Sequence, residues 1–112
     1  CIAGLVQGLS EAINFGQKAG LNMEDVIEVI SKGAAQSWQM ENRYKTMLED
    51  KFDFGFAVDW MRKDLKIAMD EAKSNGSILP ITEIIDQYYE QIQNDGGNRL
   101  DTSSLITLLP KK

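Results

Sequence analysis

The sequence predicts an all-α protein, one domain of about six helices. Apolar residues recur at intervals of three and four along most of the chain, and this spacing places them on one face of a helix. Glycine and proline occur where one such stretch ends and the next begins. No stretch alternates apolar and polar residues, and no hairpin dipeptide joins two apolar runs, so nothing predicts a strand.

Composition limits the classes of function. The 112 residues are 43% apolar and 26% charged, which is ordinary for one globular domain with a buried core. The net charge is −5 without a basic cluster, so we expect no nucleic-acid partner. No apolar run approaches the roughly 20 residues that cross a bilayer, so we expect no membrane partner. With Cys1 as the only cysteine and no histidine, we predict no metal site, no histidine-dependent catalysis and a cytoplasmic location.

The first predicted helix covers about Ile2–Ala19, and Gly20 ends it. Its apolar face consists of Ile2, Leu5, Val6, Leu9, Ala12, Ile13 and Gly16. Because the chain begins inside this helix, we expect that part of the protein precedes it. Gly4 and Gly8 lie one turn apart, although glycine inside a helix costs about 1 kcal/mol relative to alanine. They predict the close approach of another backbone, from this domain, a missing domain or a second subunit.

Two shorter helices follow. Asn22 caps the second helix, which Gly33 ends, and Ser37 caps the third, which runs to about Leu48. Their apolar sides are formed by Val26, Ile27, Val29 and Ile30, and by Trp38, Met40, Tyr44, Met47 and Leu48.

The fourth and longest helix begins at Phe56 and is stopped by Gly76. At about 100° per residue it carries two apolar stripes, whereas a surface helix needs one. The core stripe contains Val58, Met61, Leu65, Ala68 and Ala72, the second stripe contains Phe56, Trp60, Lys63 and Ile67, and the charged face contains Asp59, Arg62, Lys66, Asp70 and Lys73. Asp64 falls between the two apolar stripes.

A lysine within an apolar stripe has two interpretations. In the first, Lys63 lies over Phe56 and Trp60 in cation–π contact, and Asp64 makes a local hydrogen bond or ion pair. In the second, Phe56 and Lys63 line a cleft against another domain, where Lys63 meets an anionic or polar ligand and Asp64 holds it in place. Under the second interpretation, this chain alone should leave the second stripe uncovered.

The remaining chain predicts two more helices. Pro80 suits the first turn of the fifth helix, which Gly96 and Gly97 end. Its apolar residues are Ile81, Ile84, Ile85, Tyr88, Tyr89 and Ile92. Asp101 caps a short last helix over Thr102–Leu109.

Five segments, taken together, resemble the C-terminal helical domain of the β-hydroxyacid dehydrogenases, the 3-hydroxyisobutyrate dehydrogenase family. They are Gly4–Ala12, Ala19–Leu21, Gly55–Leu65, Leu79–Thr82 and Asp101–Leu105, in this order and spacing. The resemblance covers essentially the whole chain and implies a fold like the 6-phosphogluconate dehydrogenase C-terminal domain.

This resemblance implies an oxidoreductase that uses NAD or NADP. A hydride would pass between the nicotinamide and a small 3-hydroxy acid or semialdehyde. A Rossmann domain, missing from this chain, would bind most of the cofactor. Residues 1–112 would close the substrate cleft and form a homodimer or homotetramer. The family's catalytic lysine is expected upstream of Cys1, so we expect no catalytic residue in this chain and no activity from it alone.

The resemblance also implies roles for three residues. Lys63 matches a lysine that contacts the cofactor, and such a cation attracts a phosphate-bearing ligand in a partly desolvated cleft. Phe56 matches an aromatic residue near the substrate and nicotinamide, and Asp64 matches a carboxylate that supports the site. Trp60 departs from the polar residues that many members carry there, which leaves the substrate open.

Two alternatives remain at this stage. The chain could be a stand-alone, non-catalytic helical dimerisation or adaptor module, or a homologue that keeps the fold and has lost the upstream lysine. A Rossmann glycine fingerprint and a Lys-x-x-x-Asn motif just before Cys1 would favour the dehydrogenase. The hydroxy acid, the choice between NAD and NADP, and dimer versus tetramer also stay open.

Overall fold

The structure, a computed structural model, describes residues 1–111. It contains five α-helices and one 3₁₀ helix, which are α1 (Ile2–Lys18), α2 (Met23–Ile30), α3 (Trp38–Leu48), α4 (Val58–Asn75), α5 (Pro80–Asn94) and the 3₁₀ helix Thr102–Leu108. Over residues 1–111 no named strand occurs, and a single antiparallel bridge joins Ala57 to Asp101. The predicted all-α class and the number of helices are confirmed.

The predicted helix ends are confirmed where a side chain or a glycine determines them. Asn22 and Ser37 each accept a hydrogen bond from the backbone N–H three residues later, at 3.1 and 3.0 Å. Gly76 ends α4 in the left-handed conformation with φ +83°, and Pro80 is the first residue of α5. These local signals depend only on neighbouring residues, which is why the sequence predicts them well.

One predicted helix boundary, the start of α4, is wrong, and the short last helix is of the 3₁₀ type; both regions contain residues that pair with a distant segment. α4 begins at Val58, because the N–H of Phe56 donates to Asp101 Oδ1 and its C=O accepts from the N–H of Thr102, both at 2.9 Å. The last helix is 3₁₀ rather than α, with an i→i+3 bond from the N–H of Ser104 to the C=O of Asp101 at 2.9 Å. Phe56 is therefore joined to the 3₁₀ helix instead of lying on α4.

The core consists of two apolar clusters that share α1. The first lies between the beginning of α1, α4, α5 and the 3₁₀ helix, and contains Ala3, Val6, Val58, Met61, Leu65, Ile85, Tyr89, Ile92 and Leu105. The second lies against the later turns of α1, and contains Leu9, Ile13, Met23, Ile27, Met40, Met47 and Phe52. Leu100 packs against both clusters, so the two halves of the core are continuous.

The buried face of α1 is rotated from the predicted one. Ile2, Leu5 and Ala12 are exposed, whereas Ala3, Gln7 and Ser10 are buried. Ser10 tolerates burial because its hydroxyl donates to the C=O of Val6 at 2.8 Å. Other residues predicted on apolar faces are also exposed, namely Val29, Trp38, Ala68, Ile81 and Ile84. Periodicity identifies an apolar stripe, and the covering elements decide which of its members are buried.

The two glycines of α1 have different surroundings. A Cβ added at Gly4 would lie 3.2 Å from Ile81 Cγ2, so Gly4 lets a side chain of α5 approach α1. A Cβ at Gly8 would meet no atom within 4 Å. Within residues 1–111 neither glycine admits a second backbone, so that part of the prediction is wrong, and contact with another domain or subunit stays a prediction.

Candidate functional site

A cleft of about 400 Å³ opens between the start of α1 and the middle of α4. Its walls are formed by Cys1, Ile2, Ala3, Gln39, Phe56, Met61, Asp64, Leu65 and Thr102. Most of this lining is apolar, with polar groups supplied by Gln39, Asp64 and Thr102. A mainly apolar cleft with a few convergent polar groups is the usual form of a small-molecule site.

The structure brings two of the three predicted site residues into this cleft. Phe56 and Asp64 both line it, although Phe56 lies before α4 and Asp64 lies on the helix. Lys63 lines a neighbouring, wider cavity of about 770 Å³ instead. Consecutive helix residues point about 100° apart, so Lys63 and Asp64 border adjacent spaces.

Of the two cation–π contacts that the packing interpretation predicts for Lys63, the structure shows the one with Trp60. Its Nζ lies 5.7 Å from the centroid of the Trp60 ring. The side chain itself is exposed, and within residues 1–111 it forms no ion pair. A cation of this kind can meet an anionic ligand without first breaking an ion pair.

The neighbouring cation, Arg62, is already paired with carboxylates of α5. Its guanidinium donates to both carboxylate oxygens of Asp86, at 2.9 and 3.0 Å, and pairs with Glu90 at 3.1 Å. The hydrogen bond to Asp86 is the largest of the causes that raise the pKa of Arg62. Arg62 therefore joins α4 to α5, and Lys63 is the cation beside it that remains available for a ligand.

The apolar residues of the predicted second stripe are uncovered in this chain, although Phe56 precedes α4. Phe56, Trp60 and Ile67 are 46%, 51% and 59% exposed. Apolar side chains that neighbour one another and remain exposed are typical of surfaces that contact another domain or subunit. The expectation that this stripe is open is confirmed.

Behind the cleft, one buried carboxylate holds the backbone of Phe56. Asp101 is 1% exposed, and its Oδ1 accepts from the N–H of Phe56 at 2.9 Å. Its Oδ2 accepts from Arg43 Nε at 3.2 Å, from the N–H of Ser103 at 3.0 Å and from the hydroxyl of Ser103. Together with Gly55, these residues form what we call the Asp101 junction.

Arg43 is held on three sides at this junction. Its guanidinium carbon lies 4.9 Å from the centroids of both the Trp38 and the Phe54 rings, while its Nε pairs with Asp101. Stacking between two rings adds cation–π attraction to the ion pair. The loop that leads to Phe56 is thus tied to α3 and to the 3₁₀ helix at once.

Gly55 allows this close approach. Its φ is +71°, and an added Cβ would lie 2.2 Å from Asp101 Oδ1 and 3.0 Å from Arg43 Nη2. Glycine adopts this conformation without steric cost, and any larger residue would also meet Asp101. The sequence predicts Asp101 only as a helix cap, which is correct for Ser103, and gives no sign of the partners on α3 and in the loop.

A buried tyrosine of α5, Tyr89, is hydrogen-bonded to the first residue of the 3₁₀ helix. Burial, and secondarily the negative charge of Asp101, raise the pKa of Tyr89. The phenol therefore stays protonated and donates to the C=O of Thr102 at 3.1 Å. This bond ties α5 to a residue that lines the cleft.

Residues 1–111 contain no group of three or more histidine, cysteine or acidic side chains that could hold a metal ion. In the same part of the chain, no helix combines the length and the apolar character that a membrane crossing requires.

A family model described as "NAD-binding of NADP-dependent 3-hydroxyisobutyrate dehydrogenase" matches residues 1–109. An oxidoreductase of Shewanella frigidimarina, described as uncharacterized, is 64% identical over 111 residues, which cover 99% of this chain and 38% of that protein. The 2-(hydroxymethyl)glutarate dehydrogenase of Eubacterium barkeri is 35% identical over 99 residues, covering 88% of this chain and 33% of the enzyme.

The fold is also found in a solved structure. The crystal structure of 3-hydroxyisobutyrate dehydrogenase from Salmonella typhimurium superposes with a TM-score of 0.84 at 27% identity, covering 96% of this chain and 38% of that one. Across these three proteins, this chain spans only 33% to 38% of the relative's length.

Proposed function

The chain belongs to the 3-hydroxyisobutyrate dehydrogenase family, and on that premise we propose that it is the C-terminal helical domain of an NAD- or NADP-dependent oxidoreductase acting on a small hydroxy acid. The family indicated by the five sequence segments is therefore confirmed. The substrate class, the reaction and the division of labour with an N-terminal Rossmann domain are part of the proposal.

The observation that carries the proposal is the cleft beside the start of α1. Cys1, Ile2 and Ala3 line it together with Phe56 and Asp64. A helix rises about 1.5 Å per residue, so residues one or two turns upstream of Cys1 in a continuing helix would lie about 5–11 Å from Cys1. A catalytic lysine just upstream of Cys1, as the family implies, would then reach the same space.

In this proposal, the residues of the chain bind and orient rather than transfer the proton. Phe56 covers the apolar side of the substrate and nicotinamide, and Asp64 accepts hydrogen bonds within the cleft. Lys63 fits the cofactor because it is an exposed cation that forms no ion pair within residues 1–111. When bound, NAD or NADP supplies the acceptor for the hydride that leaves the hydroxyl-bearing carbon.

The function is tested with the full-length protein and a panel of small hydroxy acids, each with NAD and with NADP. We expect reduction of at least one cofactor, measured by its absorbance, with at least one acid, because the cleft has the size and lining of a small-molecule site. Absence of any cofactor reduction across the panel would contradict the proposal and favour the non-catalytic dimerisation or adaptor module.

The role of Lys63 is tested by Lys63→Ala in the full-length enzyme. Loss of the cation should raise the KM for the cofactor severalfold or more, because its attraction for a phosphate-bearing ligand is lost. Lys18→Ala is the matched control, since Lys18 is an exposed lysine at the opposite end of α1 from the cleft. Wild-type kinetics in Lys63→Ala would remove Lys63 from the cofactor site.

We also propose that this domain forms a homodimer or homotetramer. Apolar residues lie exposed at the beginning of α1 and at the beginning of α5, including Leu5 at 41%, Ile81 at 60% and Ile84 at 43%. A Cβ added at Gly4 would lie 3.2 Å from Ile81 Cγ2, so the first turns of the two helices border one another. Such a patch is typical of an interface with a second subunit. Sedimentation of the full-length protein distinguishes dimer from tetramer, and a monomer would contradict the proposal.

A further inference from the structure

Gln39 is a cleft residue to which the sequence assigns no role. It lies in the first turn of α3 and lines the cleft together with Phe56 and Asp64. Its amide oxygen Oε1 is shielded from solvent and has no hydrogen-bond partner within residues 1–111. The nearby amide of Gln36 differs, because its Nε2 donates to Glu41 at 2.8 Å on the exposed surface.

A buried amide oxygen without a partner is unfavourable, and native proteins leave few of them. Among the cleft side chains, those of Phe56, Met61 and Leu65 are apolar, and a carboxylate such as that of Asp64 only accepts. The hydroxyl of Thr102 also lines the cleft, but it forms no hydrogen bond with Oε1. The terminal amide torsion of glutamine has a broad energy profile. Oε1 can therefore turn toward a donor that enters the cleft.

We infer that Gln39 is a specificity-determining residue that accepts a hydrogen bond from a second hydroxyl of the substrate, one that does not react. The inference rests on the proposed function and narrows its substrate class. With Gln39 and Asp64 both acting as acceptors, the cleft favours a 2,3-dihydroxy acid over a 3-hydroxy acid that lacks the 2-hydroxyl. A substrate without that hydroxyl leaves the amide oxygen unpaired.

The test compares glycerate with 3-hydroxypropionate, which differ by one hydroxyl, in the full-length enzyme. We expect wild type to prefer glycerate in kcat/KM. Gln39→Met, which keeps length and removes the acceptor, should lower the glycerate-to-hydroxypropionate ratio by about five- to tenfold, the effect of one hydrogen bond. Gln39→Glu keeps acceptor oxygens at this position and should retain the preference.

Gln36→Met is the matched control, because it removes an exposed amide one turn away, outside the cleft, and should leave the ratio unchanged. A wild-type preference for 3-hydroxypropionate, or the same ratio in Gln39→Met as in wild type, would overturn the inference while leaving the proposed function intact. Failure of every acid in the panel to reduce either cofactor would overturn the proposed function itself.

Discussion

The Asp101 junction and the cleft lie on two sides of Phe56, and they differ in how their polar groups are satisfied. The carboxylate of Asp101 is buried and accepts hydrogen bonds from Arg43, from Ser103 and from the backbone of Phe56. The carboxylate of Asp64 is exposed, and no hydrogen bond or ion pair engages it within residues 1–111. Within residues 1–111 the fold pairs the acceptors of the first region and leaves those of the second unpaired.

We expect this difference to separate the residues that stabilise the fold from those that bind a ligand. Breaking a buried ion pair is costly because the remaining charge stays unpaired in a poorly solvated place. Altering an exposed side chain without partners usually changes stability by about 0.5 kcal/mol or less. Substitutions at the junction should therefore lower the free energy of unfolding, and substitutions in the cleft should lower activity alone.

The largest effect is expected for Asp101→Asn. The amide cannot accept from all four donors and leaves Arg43, whose side chain is 18% exposed, without its counter-charge. We expect the free energy of unfolding to fall by about 3–5 kcal/mol, measured by urea denaturation of chain 1–112. Asp53→Asn, an exposed carboxylate in the same loop as Gly55, should change it by about 0.5 kcal/mol or less. Equal stabilities for the two variants would show that the junction does not hold the fold.

A smaller effect is expected for Gly55→Ala, with Gly76→Ala as its control. Both glycines have positive φ, at +71° and +83°, so each alanine should cost about 1–2 kcal/mol for the left-handed conformation. Only the Cβ at Gly55 would also meet Asp101, 2.2 Å from its Oδ1, whereas the Cβ at Gly76 would meet open space. Gly55→Ala should therefore cost about 1–3 kcal/mol more in urea denaturation, because the junction must open. Equal costs would contradict the geometry of the junction.

The sequence predicts the helices well because their signals are local. The caps at Asn22 and Ser37, the stop at Gly76 and the start at Pro80 each involve residues within one turn. Periodicity also identifies Val58, Met61, Leu65 and Ala72 as buried residues of α4. It fails for Ala68, which is exposed because no element covers that part of the stripe.

The sequence does not predict the junction, because the residues that form it are far apart along the chain. Arg43 and Phe56 lie 58 and 45 residues from Asp101, and no periodic pattern relates such positions. The same contacts remove Phe56 from α4. As a result, the cleft groups Phe56 with Asp64, whereas the stripe grouped it with Lys63. Nothing in the sequence around Gln39 indicates that its side chain lines a cleft.

The most direct test of the account is Asp64→Asn in the full-length enzyme, assayed for both kcat/KM and stability. We predict that kcat/KM falls by about tenfold or more, because a hydrogen bond to a charged acceptor contributes about 1.5–3 kcal/mol. The free energy of unfolding should stay within about 0.5 kcal/mol of wild type, and Asp53→Asn should change neither quantity. Wild-type kcat/KM in Asp64→Asn, or a loss of stability comparable to that of Asp101→Asn, would contradict the assignment of Asp64 to a ligand-binding cleft.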